Sequence, residues 1–250
     1  MEDLEAARTE RTKAIIVNTP NNPTGAVWNP ETVKAIGEWA VEHHVWVISD
    51  EIYEHLNYDG AKTTYIGAAV PEVRDQLLVL NGVAKTYAMP GWRVGWMVLS
   101  GNKRLAKDYI EGLNMLANMR MCSNVPAQSV VQTALGGHQS VKDYLVPGGR
   151  IYDQRELVYN MLNDIPGITA VKPKAAFYIF PKIDVKKFNI HSDEQFALDL
   201  LHDKHILISH GGAFNWQEPD HFRVVYLPRI SMLKETIGEI GDFFSTYLQA

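Results

Sequence analysis

Three short apolar segments, separated by helical and turn-rich stretches, constrain the fold of this chain more than any other feature. They read KAIIVN, VWVISD and LLVLNG. Between the first two, Asn29 followed by Pro30 predicts a helix start, with a capping side chain before a proline, and the helix runs to about His43. Short apolar strands that alternate with helices predict βαβ units and a mostly parallel α/β sheet.

Polar residues follow each of these predicted strands. Asn22 comes after the first, Asp50 ends the second and Lys85 comes after the third. In parallel sheets, ligands bind at the carboxyl ends of the strands. We therefore expect the three side chains to converge there.

The pattern changes after Gly101, where long predicted helices stand beside a few strands, as in an α+β domain. A glycine-rich stretch near Pro147 predicts a boundary between part of a large domain over residues 1–146 and a smaller C-terminal domain over residues 147–250. The remaining predicted elements are helices over 102–120, from Pro126, over 151–163 and over 193–204, strands in ITAVKP, AFYIFP, HILIS and FRVVYLP, and a final helix.

Composition excludes several classes of protein. The chain has 250 residues and a formal net charge of −5, which argues against a general nucleic-acid binder. One cysteine, Cys122, excludes an internal disulfide framework and suits a reducing compartment, so a cytoplasmic location is expected. Histidines and cysteines show no metal-ligand spacing, and no metal is expected.

Each candidate residue has an ordinary and a chemical interpretation. Lys85 is either a lysine that reaches solvent from a strand end or a buried amine that attacks a carbonyl. Asp50 either caps the next helix or pairs with a protonated pyridine nitrogen. Arg93 is either a surface charge or a buried anion-binding group, and Asn22 either forms a turn or offers its amide to a ligand.

Taken together, NNPTG, SDEIY and AKTYAMPGWRVG resemble the fold-type I pyridoxal-phosphate aminotransferases of class I/II. The resemblance extends over essentially the whole chain. Later stretches, including PGGRIYDQR and AFNWQEPDHFRVVYLPR, are most similar to the bacterial glutamate–pyruvate (alanine) aminotransferases within that family.

The resemblance implies a cofactor site for pyridoxal 5′-phosphate. Lys85 is then the residue that binds the cofactor aldehyde and moves a proton at the substrate α-carbon. Asp50 pairs with the pyridine nitrogen, Tyr53 and Asn22 bond the phenolic oxygen, and Arg93 binds the phosphate.

The same resemblance implies the substrates and the assembly. Arg223 and Asn22 contact the α-carboxylate of an L-amino acid, alanine or glutamate, whose amino group passes to a 2-oxo acid. A homodimer is expected. Aspartate transamination, a β-lyase reaction on the same scaffold and a truncated, non-catalytic module remain alternatives.

The chain departs from the family pattern in its local residues and its length. Gly82 stands where the family usually has a serine that bonds the phosphate, and Ala175 stands where glycine is favoured. Family members also extend further at the N-terminus, where a phosphate-binding loop and a stacking aromatic residue lie. We expect residues 1–250 alone to bind the cofactor weakly and to have little activity.

Overall fold

The computed structural model describes all 250 residues, which form two compact units. Unit 1 comprises Met1–Pro20, Val27–Asn57 and Lys62–Val141, and unit 2 comprises Asn21–Ala26, Tyr58–Ala61 and Lys142–Ala250. Two short loops from the N-terminal half therefore belong to unit 2. The division into functional domains over 1–146 and 147–250 stays a prediction.

Unit 1 is built on a four-stranded sheet. Its strands are β1 (Ala14–Asn18), β2 (Trp46–Asp50), β3 (Leu77–Gly82) and β4 (Gly95–Leu99), in the order β1-β2-β3-β4. The first three strands are parallel, and β4 runs antiparallel to β3. The predicted mostly parallel α/β sheet is confirmed.

The helices of unit 1 precede, connect or follow these four strands along the chain. They are α1 (Glu2–Ala7), α2 (Pro30–Glu42), α3 (Ile66–Ala69), α4 (Lys107–Arg120), α5 (Val125–Ser129) and α6 (Val131–Gly136). Helix α2 starts where Asn29 predicts, because the Asn29 side chain accepts a hydrogen bond from the Thr32 amide over 2.7 Å. The continuous helix predicted from Pro126 is wrong, since that segment forms the short helices α5 and α6.

The two faces of the sheet differ in how they are covered. On one face, Val17, Val47 and Leu77 pack into a core with α2 and α3. On the other face, Ile16 is 69 % exposed and α4 buries none of its residues. A cavity of about 590 Å³ lies there between the sheet and the start of α4. The apolar alternation of the strands is therefore satisfied on one side only.

Unit 2 combines helices with short antiparallel strands. Its helices are α7 (Val141–Tyr144), α8 (Arg150–Asn163), α9 (Asp193–Lys204) and α10 (Ile230–Thr246), and its strands are β5 (Ile168–Thr169), β6 (Tyr178–Ile179), β7 (Lys182–Ile183), β8 (Ser209–His210) and β9 (Phe222–Val225). Strand β5 pairs with β7, and the other sheet has the order β6-β9-β8. The predicted α+β character is confirmed, although HILIS forms a strand only at its end. None of the helices in either unit has the length and apolar character needed to cross a membrane.

The loop 21–26 is anchored to unit 2 by its backbone. The carbonyl of Gly25 accepts hydrogen bonds from the amides of Lys174 and Ala175, at 2.9 and 3.0 Å. Gly25 has a φ of +67°, and a Cβ there would lie 2.6 Å from Cβ of Pro173 and 2.9 Å from the Ala175 carbonyl oxygen. Only glycine combines this conformation with so close an approach.

Gly25→Ala should destabilise the protein by about 3 kcal/mol, because it adds overpacking to the strain of a left-handed alanine. Gly60→Ala is the matched control, since Gly60 lies in unit 2 with a φ of +74° and no atom within 4 Å of a built Cβ. It should cost only about 1 kcal/mol. Urea unfolding of both variants measures the difference, and equal losses would contradict the packing argument.

Candidate active site

Asp50 ends β2 in the parallel register with the last residue of β1, Asn18. Oδ2 of Asp50 accepts a hydrogen bond from Nδ2 of Asn18 over 3.0 Å, and Oδ1 accepts one from the Ile52 amide over 3.2 Å. Both oxygens are therefore oriented by the chain itself. The carboxylate lies at the carboxyl end of the parallel strands, as predicted.

Lys85 and Tyr53 lie close together in unit 1. The Lys85 side chain starts from a turn after β3, is half-buried and places Nζ 5.8 Å from the centre of the Tyr53 ring. Tyr53 is 3 % exposed. The aromatic face stabilises the ammonium and restricts its motion. Strand pairing thus brings the segments that follow β2 and β3 to one edge of the sheet.

Arg93 does not have the burial that its apolar neighbours suggest. It is exposed, with a left-handed φ of 55°, directly after a 3₁₀ turn over Pro90–Trp92. Its Nη1 donates to the Pro90 carbonyl over 2.8 Å. Of the two interpretations of Arg93, its exposure agrees with a surface charge, since Arg93 precedes β4, an edge strand with several exposed residues. The arginine can still bind an anion through its remaining N–H groups.

The packing of β3 against β4 explains why glycine stands at position 82, which the sequence alone did not show. It pairs with Gly95 across the β3–β4 ladder, and a Cβ at Gly82 would lie 2.9 Å from the Val94 carbonyl oxygen. A serine would therefore force β4 away from β3. The close approach of the two strands therefore requires glycine at position 82, where the family usually has a serine hydroxyl.

Arg223 and Asn22 meet in unit 2. Nη1 of Arg223 donates to Oδ1 of Asn22 over 2.9 Å, and Nη2 donates to the Ser209 hydroxyl over 3.3 Å. The guanidinium also lies over the rings of Tyr178 and Phe214, at 4.7 and 4.8 Å. Its Nε is buried and has no hydrogen-bond partner. A fixed guanidinium with an unsatisfied donor is suited to a carboxylate ligand.

The side chains of unit 1 fit the chemistry of pyridoxal phosphate. A carboxylate held at both oxygens suits a protonated ring nitrogen, an amine beside a phenol suits an aldehyde and a phenolic oxygen, and Arg93 suits a phosphate. The structure contains no cluster of three or more His, Cys, Asp or Glu side chains arranged to hold a metal ion.

Sequence reasoning assigned no role to two residues beside Asp50. Asn18 orients the Asp50 carboxylate. Its position as the polar last residue of an apolar strand was the feature of the sequence that could have indicated this role. Glu51 is buried and accepts a hydrogen bond from the Ser49 hydroxyl over 3.0 Å. Burial raises the pKa of Glu51 to about 7, against the lowering effect of the Ser49 bond and with smaller raising effects from Glu54 and Asp50.

The chain matches the family model described as Aminotransferase class I and II over residues 1–239. It is 50 % identical to the glutamate-pyruvate aminotransferase AlaA of Haemophilus influenzae over 249 residues, which are 100 % of this chain and 61 % of that protein. It is 45 % identical to the alanine aminotransferase of Mycobacterium tuberculosis, with 99 % of this chain and 57 % of the relative covered. The chain thus spans about three fifths of the length of these curated relatives.

Solved structures of aminotransferases are also similar to this chain. An aminotransferase from Escherichia coli matches with a TM-score of 0.96 and 48 % identity, covering 100 % of this chain and 61 % of that one. The alanine aminotransferase from Pyrococcus furiosus matches with a TM-score of 0.88 and 38 % identity, covering 98 % and 60 %. These similarities support a fold-type I architecture.

Glu51→Gln should change how stability depends on pH. Because the folded pKa of Glu51 lies above its ordinary value of 4.5, the proton stabilises the folded state at low pH. That contribution is lost as pH rises through about 7, and amounts to about 3 kcal/mol. Relative to wild type, Glu51→Gln should gain about this much free energy of unfolding between pH 4.5 and pH 8.

Denaturant unfolding across this pH range measures the effect. Glu38→Gln, at an exposed position on α2, is the control and should follow the wild-type curve. A Glu51→Gln variant that follows the wild-type pH curve would show that Glu51 is charged in the folded protein throughout the range.

Proposed function

The chain belongs to the class I and II aminotransferases, and we propose that the protein containing it is a pyridoxal-phosphate-dependent transaminase. The observation that carries the proposal is in unit 1, where Asp50 has both oxygens oriented at the strand ends and Lys85 lies beside Tyr53. The residues fit the cofactor, which supplies an electron-withdrawing ring for negative charge at the substrate α-carbon.

Each side chain of unit 1 has a distinct proposed role. Asp50 keeps the proton on the ring nitrogen by ion pairing. Nζ of Lys85 binds the cofactor aldehyde and carries the proton to and from the substrate α-carbon. Tyr53 donates from its hydroxyl to the phenolic oxygen, and Arg93 binds the phosphate.

Arg223 is the proposed anchor of the substrate α-carboxylate. Its Nε has no partner, and Asn22 and Ser209 fix the two terminal nitrogens. All amino and 2-oxo acids share the carboxylate that this group would bind. Asn22 contributes to the same carboxylate site by holding the guanidinium.

We propose alanine and glutamate, with pyruvate and 2-oxoglutarate, as the substrates. The names of the similar proteins from Haemophilus influenzae and Mycobacterium tuberculosis support this assignment. A homodimer and a cytoplasmic location complete the proposal, together with a place in amino acid metabolism and biosynthesis. Aspartate and cysteine-conjugate substrates should react more slowly.

Borohydride reduction followed by peptide mapping tests the role of Lys85. With pyridoxal phosphate bound, the label should appear on Lys85, and Lys85→Ala should abolish transamination because its amine moves the proton. Lys62→Ala, at an exposed position in unit 1, should retain activity. A label on another lysine would contradict the assignment.

Arg223→Lys should lower kcat/KM for every amino acid and 2-oxo acid by a similar factor. We expect about ten- to hundredfold, since a lysine cannot form the two parallel bonds of a guanidinium. Arg229→Lys, at an exposed position of unit 2, is the control and should change little. Loss confined to one substrate would instead place Arg223 at a side-chain subsite.

A further inference from the structure

Two tyrosines of unit 2, Tyr58 and Tyr226, are fully buried and have no part in the roles proposed above. The Tyr58 hydroxyl donates a hydrogen bond to the Ala176 carbonyl over 2.6 Å, and the Tyr226 hydroxyl donates to the same carbonyl over 3.1 Å. Burial raises the pKa of both tyrosines, so both hydroxyls keep their protons and remain donors at neutral pH. One backbone oxygen therefore accepts bonds from two buried phenols, which uses both of its lone pairs.

The backbone of Ala176 is strained and depends on such support. Ala176 is fully buried and has a φ of 61°, in the left-handed region that an alanine rarely adopts. A conformation of this kind persists only where the surrounding contacts hold it in place, and it is common at functional sites. The Tyr226 amide adds a bond to the next carbonyl, that of Phe177, over 3.2 Å. Two consecutive carbonyls at this turn are thus held by the two tyrosines.

Tyr58 also holds the residues that come just before the turn. Its amide donates to the Lys174 carbonyl over 2.9 Å. The guanidinium of Arg155, which is buried and paired with Asp59, lies 4.2 Å from the centre of the Tyr58 ring. Nη1 of Arg155 donates to the Pro173 carbonyl over 3.1 Å. A network centred on Tyr58 therefore fixes the carbonyls before the turn as well as the one within it.

The segment 173–178 supports the guanidinium of Arg223 from both of its ends. Near its start, two backbone amides bond the loop 21–26, and Asn22 of that loop accepts a hydrogen bond from Nη1 of Arg223. At its end, the ring of Tyr178 lies 4.7 Å from the guanidinium carbon. A shift of the segment would therefore displace a hydrogen-bond partner and an aromatic neighbour of the guanidinium together.

Resting on the proposed function, in which Arg223 binds the substrate α-carboxylate, we propose that Tyr58 is a positioning residue for that carboxylate site. It acts through the Ala176 carbonyl rather than by contact with the substrate. The fixed segment holds the guanidinium in one orientation before the carboxylate arrives, which lowers the cost of ordering on binding. Because all amino and 2-oxo acids share this carboxylate, Tyr58 affects all of them equally.

Steady-state kinetics of the cofactor-loaded protein test this role. Tyr58→Phe removes one oxygen and keeps the buried ring beside Arg155. It should raise KM for alanine, glutamate, pyruvate and 2-oxoglutarate by a similar factor of about three to ten, as expected for one lost hydrogen bond. The value of kcat should change by less than about twofold, because the carboxylate contact is made before and during the reaction. A rise for one substrate only, or a lower kcat at unchanged KM, would overturn the proposal.

A matched control separates positioning from a general loss of stability. Tyr247→Phe removes a hydroxyl that donates to Asp199 over 2.7 Å elsewhere in unit 2. It should leave every KM unchanged. An equal rise of KM in Tyr247→Phe and Tyr58→Phe would overturn the proposal.

A double-variant comparison tests the route through the Ala176 carbonyl. Tyr226→Phe removes the second donor to that oxygen and should also raise every KM. With Tyr58→Phe and Tyr226→Phe combined, the factor should exceed the product of the two single factors, because the buried oxygen then lacks both donors. Factors that simply multiply would overturn the assignment to one shared carbonyl.

A binding measurement at Arg223 itself is independent of turnover. Its buried Nε–H is identified by NMR as the signal that Arg223→Lys removes. Propionate, which has the carboxylate but no amino group, should shift this signal. Its dissociation constant should rise in Tyr58→Phe by the factor seen in KM and stay at the wild-type value in Tyr247→Phe.

The propionate titration also separates the two levels of the proposal. If wild type fails to transaminate any substrate, the proposed function fails, whereas propionate binding still decides the role of Tyr58. Equal propionate affinity in wild type and Tyr58→Phe would overturn that role, and so would a wild-type protein in which propionate leaves the Arg223 signal unchanged.

Discussion

The register of the three parallel strands is the constraint on which the chemistry of unit 1 depends. Asn18, Asp50 and Leu80 lie side by side across β1, β2 and β3. Because the strands run in the same direction, the segments that leave them start from one edge of the sheet. The hydrogen bond from Asn18 then fixes the Asp50 carboxylate, and the turn after β3 places Lys85 against Tyr53. A shift of β2 by one residue would turn Asp50 to the opposite face.

Unit 2 depends on a different kind of constraint, the close packing of one loop. Gly25 allows the loop 21–26 to bond the backbone at Lys174 and Ala175, and the same loop carries Asn22 to the guanidinium of Arg223. The aromatic rings around Arg223 limit its contact with water, which strengthens any bond to a carboxylate. Just before the strand that carries Arg223, Oδ1 of Asp220 lies 2.6 Å from Nδ1 of His221, a further polar contact within unit 2.

Sequence patterns predicted the helices well where a capping residue marks the start of the helix. Helix α2 has its cap and proline, and α9 has Ser192 as a cap, so both begin where expected. HILIS failed as a strand because its apolar character indicates burial without specifying a pairing partner. The sequence left the burial of Arg93 open, and Arg93 is exposed because the apolar residues around it lead into an edge strand that other elements do not cover.

The sequence by itself determined the alternation of strands and helices, the family to which the chain belongs, and the identities of Lys85, Asp50, Tyr53, Asn22, Arg93 and Arg223 as candidates. These depend on local periodicity and on motifs of adjacent residues. Only the tertiary structure decided that Asn22 joins Arg223 in unit 2, that Glu51 is buried, and that Tyr58 bonds the Ala176 carbonyl. Such relations join residues far apart in the chain, or depend on which neighbours exclude water, and no local pattern specifies either.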